Sequence, residues 1–356
     1  MEPQSRRKQE KETEEDLTDW SKPDLIKRIR QLESHVKQLR NVLAKKSYTD
    51  DGNKACKQKP FDFTKYNKRH VALKVAYLGW DYHGFTVQED EAKTIEDALF
   101  TALIRTRLID CRENSNYHRC GRTDKGVSAF SQVISIDLRS NFDSGLGVIN
   151  CGNKRKNCDE EIRYTHILNK VLPKEIRVLA WAPVDVDFSA RFSCFKRTYR
   201  YYFPKSDLDI EKMKIGCGYL IGEHDFRNLC KMDVGNGVVK FIRKITRAEI
   251  NPITNSDEGG YQLFEFIISS QGFLWHQVRC IVAILFLIGQ TVESPTVIED
   301  LLNVEKCPRK PQYDMASELP LVLFDCDFKL EWIVDEESNT QAIQNYQREW
   351  SNEAIK

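Results

Sequence analysis

The feature that most restricts the fold of this chain is a long apolar segment with a single formal charge. Between Glu265 and Glu293 only Arg279 is charged, and the run FLWHQVRCIVAILFLIG is the most apolar part of the sequence. Such a run predicts a helix buried in a hydrophobic core. An arginine stays protonated there, and burying it alone is costly. We therefore expect a carboxylate from elsewhere in the fold to pair with Arg279; the alternative is a half-exposed helix whose arginine reaches the solvent.

The composition excludes several classes of protein. The chain has 356 residues, of which 41% are hydrophobic, so it can bury real cores and is long enough for two or three domains. It contains no apolar run long enough to predict a membrane span. The charged N-terminal segment is typical of neither a signal peptide nor a transit peptide. The eleven cysteines form no C-x-x-C pair, which favours reduced thiols in a cytoplasmic and nuclear protein over disulfides or a metal site.

The N-terminal region predicts a disordered leader over residues 1–20 and a basic coiled-coil helix over residues 21–46. Residues 22–46 carry eight basic and two acidic side chains, a local balance of +6 in a chain whose net charge is +1. That excess suits a polyanion, although the alternative is a solvated surface. Leu at d and β-branched residues at a favour a parallel two-stranded coil and therefore a homodimer, the alternative being a single amphipathic helix. The heptad seam consists of Leu25, Ile29, Leu32, Val36, Leu39 and Leu43.

The remaining pattern predicts an α+β fold with a mainly antiparallel sheet. HVALKVAYLGW and SQVISIDL have the composition of strands, and two further strands form a hairpin around residues 255–260. Residues 94–109 predict a helix capped by Thr94, with Asp97 completing the capping pair. Residues 140–160 predict a loop. Strands and helices follow one another without strict βαβ alternation, which argues against a parallel sheet.

Two short segments carry candidate chemistry. In YHRCGRTDKGVSAF, Asp124 stands between Arg122 and Lys125 and is followed by Gly126, so it is either a solvated turn residue or a nucleophile held in place. It is also the natural candidate for the carboxylate that pairs with Arg279. In DFSARFSCFKRTYRYYF, arginines alternate with aromatic residues, as in strands that contact phosphates and stack on unpaired bases. The alternative there is an ordinary half-buried strand.

Together these segments resemble the TruA-type family of tRNA pseudouridine synthases. GRTDKGVSA matches the catalytic motif of the family residue for residue, and YLGWDYHGFTVQ, FSARFSCFKRTYRYYF, GEHDF and FLWHQVRCIVAILFLIG resemble its other motifs, in order. The resemblance covers about Val71 to Lys329. The segment YHRCGRTDKGVSAFSQVISIDLRS, together with the N-terminal basic coil, most resembles the eukaryotic branch that modifies tRNA positions 38 and 39, and LVLFDCDF fits the same branch. The sequence departs from the family at Phe85, where many relatives have Trp, and in FLWHQVR, where relatives often have Met before Val.

The resemblance implies two ferredoxin-like subdomains joined through the sheet, with a central RNA-binding cleft. After a linker at 47–67, the N-terminal catalytic subdomain would span 68–186, the C-terminal subdomain 187–335 and an acidic tail 336–356. By position in the motifs, Asp124 would be the catalytic residue and Arg279 its partner. Tyr199 would stack on the target uracil, and Arg122 and Arg191 would bind the substrate.

The implied reaction breaks the N1–C1′ bond of uridine, rotates the base and rejoins it through C5, so no cofactor or metal is expected. The base must first leave its stack. Asp124 would attack C6, attack C1′ or stabilise positive character on the sugar, and the sequence leaves the three open. The alternatives in function are the same chemistry on broader tRNA or small nuclear RNA targets, a non-catalytic RNA-binding module, or a protein whose coil serves mainly for assembly.

Overall fold

The computed structural model describes residue 29 and residues 61–87, 93–151, 160–231, 240–253 and 262–355. Residues 61–356 belong to one compact unit. The predicted leader, the coiled-coil helix apart from Ile29, and most of the linker lie outside the described residues. The coil and the dimer that depends on it therefore stay predictions.

The strands of the described part of the chain join in one sheet. They are β1 Asn67–Tyr77, β2 His118–Arg119, β3 Ser128–Ser140, β4 Val148–Ile149, β5 Ile176–Pro183, β6 Lys196–Pro204, β7 Gly222–Asp225, β8 Ile242–Pro252, β9 Leu263–Ser270 and β10 Leu321–Asp327. The order across the sheet is β4-β1-β3-β10-β6-β9-β8-β7, with β5 also on β1 and β2 also on β3. Of these pairings only β3 with β10 is parallel. The predicted mixed fold with a mainly antiparallel sheet is confirmed.

Six helices pack around this sheet in the described residues. They are α1 Ile95–Arg105, α2 Tyr164–Asn169, α3 Ile210–Leu220, α4 Gln277–Gly289, α5 Val297–Leu302 and α6 Glu336–Ile355. The predicted cap of α1 is confirmed, because the Thr94 hydroxyl accepts a hydrogen bond from the Asp97 N–H at 3.2 Å. The predicted hairpin is confirmed by the antiparallel pairing of β8 with β9, although its connecting residues 254–261 lie outside the described residues.

The buried side chains form two hydrophobic cores, one in each half of the sheet. The first gathers residues of β1, β3, β5 and α1, such as Leu73 and Ile134. The second gathers residues of β6, β9, α3 and α4, such as Phe203 and Ile281. Helix α4 is the predicted buried helix, with ten of its thirteen residues buried. Strands β3, β10 and β6 connect the two halves, and Tyr199 on β6 packs against both cores.

The segment predicted as an acidic tail forms helix α6, which docks on the first half. The Tyr346 hydroxyl donates hydrogen bonds to the carbonyls of Ala76 at 3.1 Å and Glu175 at 3.3 Å. Arg163 binds Asp335 at 2.7 Å just before the helix. None of the helices among the described residues combines the length and the apolar character needed to span a lipid bilayer.

Candidate active site

Asp124 lies in a sharp turn between β2 and β3, as the sequence predicts. Gly126 has a φ of +78°, which an L side chain rarely adopts. Its N–H donates to the carbonyl of Tyr82 at 3.2 Å, and the N–H of Val127 donates to the carbonyl of Asp124 at 3.2 Å. The Asp124 side chain keeps 31% of its surface exposed. The turn therefore presents one partly exposed carboxylate close to where the two halves of the sheet meet.

The end of β1 and the segment that follows it pack against this turn. The N–H of Phe85 donates to the carbonyl of Thr123 at 3.1 Å, and the hydroxyl of Tyr77 is 2.8 Å from that of Thr123. A Cβ atom at Gly79 would lie 2.0 Å from the carbonyl oxygen of Val127, so this position accepts only glycine without a shift of backbone. The motif LGWDYHG thus serves to bring one backbone segment close under another.

His276 is the residue in contact with Asp124, and the sequence analysis missed it. Its Nε2 atom lies 3.3 Å from Oδ2 of Asp124. The backbone of His276 is left-handed, with a φ of +57°, at the start of α4. Its ring packs on that of Trp275 at 4.6 Å, and its Nδ1 is buried without a hydrogen-bond partner among the described residues. Its place three residues before Arg279, one helical turn away, was the signal that could have found it.

Arg279 pairs with a different carboxylate from the predicted one. Its guanidinium donates to Oε2 of Glu318 at 2.8 Å and to the carbonyl of Ala316 at 2.7 Å, and only 13% of the side chain is exposed. The predicted carboxylate from elsewhere in the fold is confirmed, and the arginine side chain is mostly rather than fully buried. The pairing with Asp124 is corrected, because the loop before β10 folds over the first turn of α4 and brings Glu318 to the guanidinium. Glu318 also reaches the turn that carries Asp124, since its Cγ would be 2.8 Å from a Cβ at Gly126.

Tyr199 lies on β6, opposite Ile268 of β9 and Leu323 of β10. Its ring meets that of Phe273 edge to face at 5.2 Å. Burial raises the pKa of the Tyr199 hydroxyl far above its ordinary value, and the nearby Asp124 raises it further. The hydroxyl is therefore protonated at neutral pH and lies close enough to the Asp124 carboxylate for the two to interact electrostatically.

The other arginines of the two motifs divide into exposed and structural ones. Arg122 and Arg191 are exposed, and the Arg191 guanidinium lies 5.3 Å from the centre of the Phe192 ring, itself 75% exposed. Arg197 is instead a clamp, which donates to the carbonyls of Cys120 at 2.7 Å, of Arg191 at 3.2 Å and of Gln271. The first two thus offer charge to a ligand, whereas Arg197 joins three backbone segments.

Arg119, which the sequence places near Asp124, belongs to a buried ion-pair network. Its guanidinium lies 3.0 Å from the fully buried Glu96, which also receives Arg112 at 2.8 Å, the Tyr117 hydroxyl at 2.8 Å and the N–H of Val87 at 3.0 Å. Burial raises the pKa of the Glu96 carboxyl, but these hydrogen bonds and the arginine charges outweigh it and leave the pKa lowered. The network ties α1 and β2 to the segment that supports the turn carrying Asp124.

Exposed aromatic rings with cations beside them provide stacking surfaces near these motifs. Trp275, next to His276, is 41% exposed, and the Lys231 ammonium lies 4.8 Å from its ring centre. Phe195, which follows the FSC of the second motif, is 55% exposed and has Lys329 at 5.2 Å. Aromatic faces stack on any unpaired base, and the cations suit the adjoining phosphates.

Comparison with known proteins gives consistent similarities. A family model described as tRNA pseudouridine synthase matches residues 217–329. The chain is 52% identical to the tRNA pseudouridine(38/39) synthase of Homo sapiens over 345 residues, which cover 93% of this chain and 72% of the human protein. The Saccharomyces cerevisiae protein of that name is 39% identical over 330 residues, covering 88% and 72%. The tRNA pseudouridine synthase A of Methanosarcina mazei is 32% identical over 272 residues, covering 76% and 90%.

Proposed function

The chain belongs to the tRNA pseudouridine synthase family, and we propose that it isomerises uridine to pseudouridine in the anticodon stem-loop of tRNA, at positions 38 and 39. It is therefore an isomerase that acts on tRNA. The observation that carries the proposal is the Asp124 carboxylate, held on a glycine turn where the two halves meet, 3.3 Å from His276 and within electrostatic range of the Tyr199 hydroxyl. The relatives named for positions 38 and 39 support the choice of those uridines.

The geometry suits a base that has left its stack. A partly exposed carboxylate can reach an extruded nucleotide but not one inside a helix. Tyr199 would stack on the uracil, and its protonated hydroxyl can donate a hydrogen bond during the rotation of the base. Asp124 would attack C6 or C1′, or stabilise positive charge on the sugar. His276 would hold the carboxylate in position until the nucleotide enters.

The substrate-binding roles follow from exposure and charge. Arg122, one residue from the turn's Thr123, would hold the extruded nucleotide, and Arg191 would contact a phosphate. Arg279 would act through the loop that carries Glu318. We also propose that the two halves are ferredoxin-like subdomains and that tRNA lies in the cleft between them. The two separate cores on one continuous sheet support that division.

The assembly and the location of the protein are further parts of the proposal. The heptad seam supports a parallel homodimer, and the basic residues of 22–46 support contact between the coil and tRNA phosphates. The cysteine usage supports a cytoplasmic and nuclear location. Light scattering on the full chain tests the dimer, and a mass of one chain would refute it.

The activity is tested by mapping pseudouridine at single-nucleotide resolution in a tRNA mixture incubated with the full chain. We expect new pseudouridines at positions 38 and 39 and none with Asp124→Asn. Modification confined to other positions or to small nuclear RNA would refute the choice of target. Binding without any modification would refute the enzyme.

A further inference from the structure

Three buried cysteines meet beside the catalytic turn. The Sγ atoms of Cys120, Cys194 and Cys326 all lie within 4.8 Å of one another, and those of Cys120 and Cys326 are 3.5 Å apart. Each side chain comes from a different segment: the first follows β2, the second precedes β6 and the third lies in β10. Segments that are distant in sequence thus place three thiols in one cluster.

The cluster can be approached from the solvent on the side of Cys194. All three cysteines are 3% exposed, so exposure alone does not distinguish them. Cys194, however, lines an open pocket of about 530 Å³, together with Phe188, Phe192 and Lys329, whereas Cys120 and Cys326 do not line it. A small neutral oxidant that enters this pocket would therefore meet Cys194 first.

The surroundings favour a thiolate on Cys194 and thiols on its neighbours. Hydrogen bonds from Cys120 and Cys326 lower the pKa of Cys194 against the effect of burial, and the charge of Arg197 lowers it further. Hydrogen bonding to Cys194 raises the pKa of Cys120, and hydrogen bonding within the cluster raises that of Cys326. By contrast, burial dominates at Cys217 in α3 and raises its pKa. A thiolate, rather than a thiol, is the form that reacts with peroxides.

We propose that Cys194 is a site of reversible oxidation by hydrogen peroxide, which ends in a disulfide between Cys194 and Cys120. The Cys194 thiolate attacks one peroxide oxygen and the O–O bond breaks. Hydroxide departs as the leaving group, and Cys194 becomes a sulfenic acid. The Cys120 sulfur then attacks that sulfur, an S–S bond replaces the S–O bond, and the oxygen leaves as water with the proton of the thiol. Overall, one thiolate and one thiol lose two electrons, and peroxide becomes one water and one hydroxide.

Cys120 is the better resolving partner because of its place in the backbone. Formation of a disulfide requires the two sulfurs to approach to about 2.05 Å, so one chain segment must move. Cys326 is fixed inside β10, where it pairs with Arg197 of β6. Cys120 lies in the connection between β2 and β3, four residues before Asp124, and is held by one backbone hydrogen bond to Val133 and by the Arg197 clamp.

The disulfide would change the catalytic turn, a consequence that rests on the proposed function. Movement of Cys120 towards Cys194 draws the start of the turn towards the beginning of β6. Asp124 then shifts relative to Tyr199, which lies on β6. A displacement of about 1 Å at a reacting group can cost about 100-fold in rate, so we expect a loss of that order. A dithiol reductant would restore the thiols and the rate.

The experiment treats the reduced full chain with hydrogen peroxide, blocks the free thiols and maps disulfide-linked peptides by mass spectrometry. We expect the Cys120–Cys194 linkage and a parallel loss of pseudouridine formation, both reversed by dithiothreitol. Cys194→Ser should keep its rate in peroxide. Cys217→Ser is the matched control, a buried thiol outside the cluster, and should be inactivated like the unmodified chain. Cys326→Ser should still form the linkage.

Three results would overturn the proposal. The first is the absence of the Cys120–Cys194 linkage after treatment that oxidises other thiols. The second is a metal ion bound stoichiometrically by the three thiolates in the purified protein. The third is equal inactivation of Cys194→Ser and the unmodified chain. Peptide mapping needs neither RNA nor a variant, so it decides the question even if Cys194→Ser does not fold. If the reduced chain makes no pseudouridine, the proposed function fails while the mapping still tests the oxidation.

Discussion

Replacement of Glu96 by Gln should destabilise the protein strongly, because it removes the charge on which the buried network depends. The carboxylate is fully buried and accepts from Arg112, Arg119, the Tyr117 hydroxyl and the N–H of Val87. Breaking a buried ion pair by removing one partner costs about 3–5 kcal/mol. Here the two arginine side chains are 36% and 22% exposed, so water replaces part of the lost interaction. We therefore expect about 2–3 kcal/mol after discounting for that solvation.

The assay is urea denaturation of the full chain, compared with Glu249→Gln as a matched control. Glu249 also binds an arginine, Arg247, at 2.8 Å, but both side chains are about half exposed. Exposed pairs contribute about 0–1 kcal/mol, so the control should lose little stability. Equal losses in the two variants would show that burial does not strengthen the ion pairs of Glu96. The pKa of Glu96 is lowered in the folded chain, so its stabilisation is present above the unfolded value of 4.5 and is lost as pH falls through the folded pKa. Glu96→Gln and Glu249→Gln should therefore converge in stability under strongly acidic conditions.

Three further substitutions test the site, and one deletion tests the contribution of the N-terminal residues to tRNA binding. His276→Ala should lower kcat by about 10- to 100-fold with little change in the KM for tRNA, since it releases the carboxylate that it positions; an unchanged kcat in steady-state kinetics would contradict this. Arg279→Lys should lose activity because an ammonium cannot bind both Ala316 and Glu318 in the same way as a guanidinium. Glu318→Gln should show a smaller loss. A fully active Lys variant would contradict this role of Arg279. Deletion of residues 1–46 should weaken tRNA binding and flatten its salt dependence by about one unit of log–log slope for each phosphate that the shortened chain no longer binds, with kcat changed less than KM. An identical salt slope would show that residues 1–46 do not contact RNA.

Local features of the fold could be predicted from the sequence because their causes are local. The Thr94 cap needs only a hydroxyl three residues before an N–H, and the turn at Gly126 needs only a glycine behind the aspartate. The apolar character of α4 likewise implies burial without knowledge of what covers it. The motif matches then pointed to Asp124 and Tyr199, which in the structure lie within electrostatic range of each other, and their roles stay predictions.

Partners across the sheet could not be predicted, because they depend on how distant segments pack. The sequence required a carboxylate for Arg279, but Glu318 and Asp124 were equally suitable on charge alone. The segment before β10 decides between them by folding over α4. His276 could not be distinguished in the sequence from other polar residues at helix starts. In the structure its backbone is left-handed and its ring lies against Asp124. The cysteine cluster unites positions up to 206 residues apart, so spacing gave no sign of it.

We propose that the Asp124 carboxylate performs the isomerisation of uridine. The most direct measurement is single-turnover pseudouridine formation at positions 38 and 39 by the full chain and by Asp124→Asn, with tRNA affinity measured for both at the same salt concentration. We predict that the Asn variant binds tRNA with little change, because phosphate contacts elsewhere supply most of the affinity, and forms no pseudouridine. Pseudouridine formation by the Asn variant at a rate near that of the unmodified chain would show that the reaction does not need the Asp124 carboxylate.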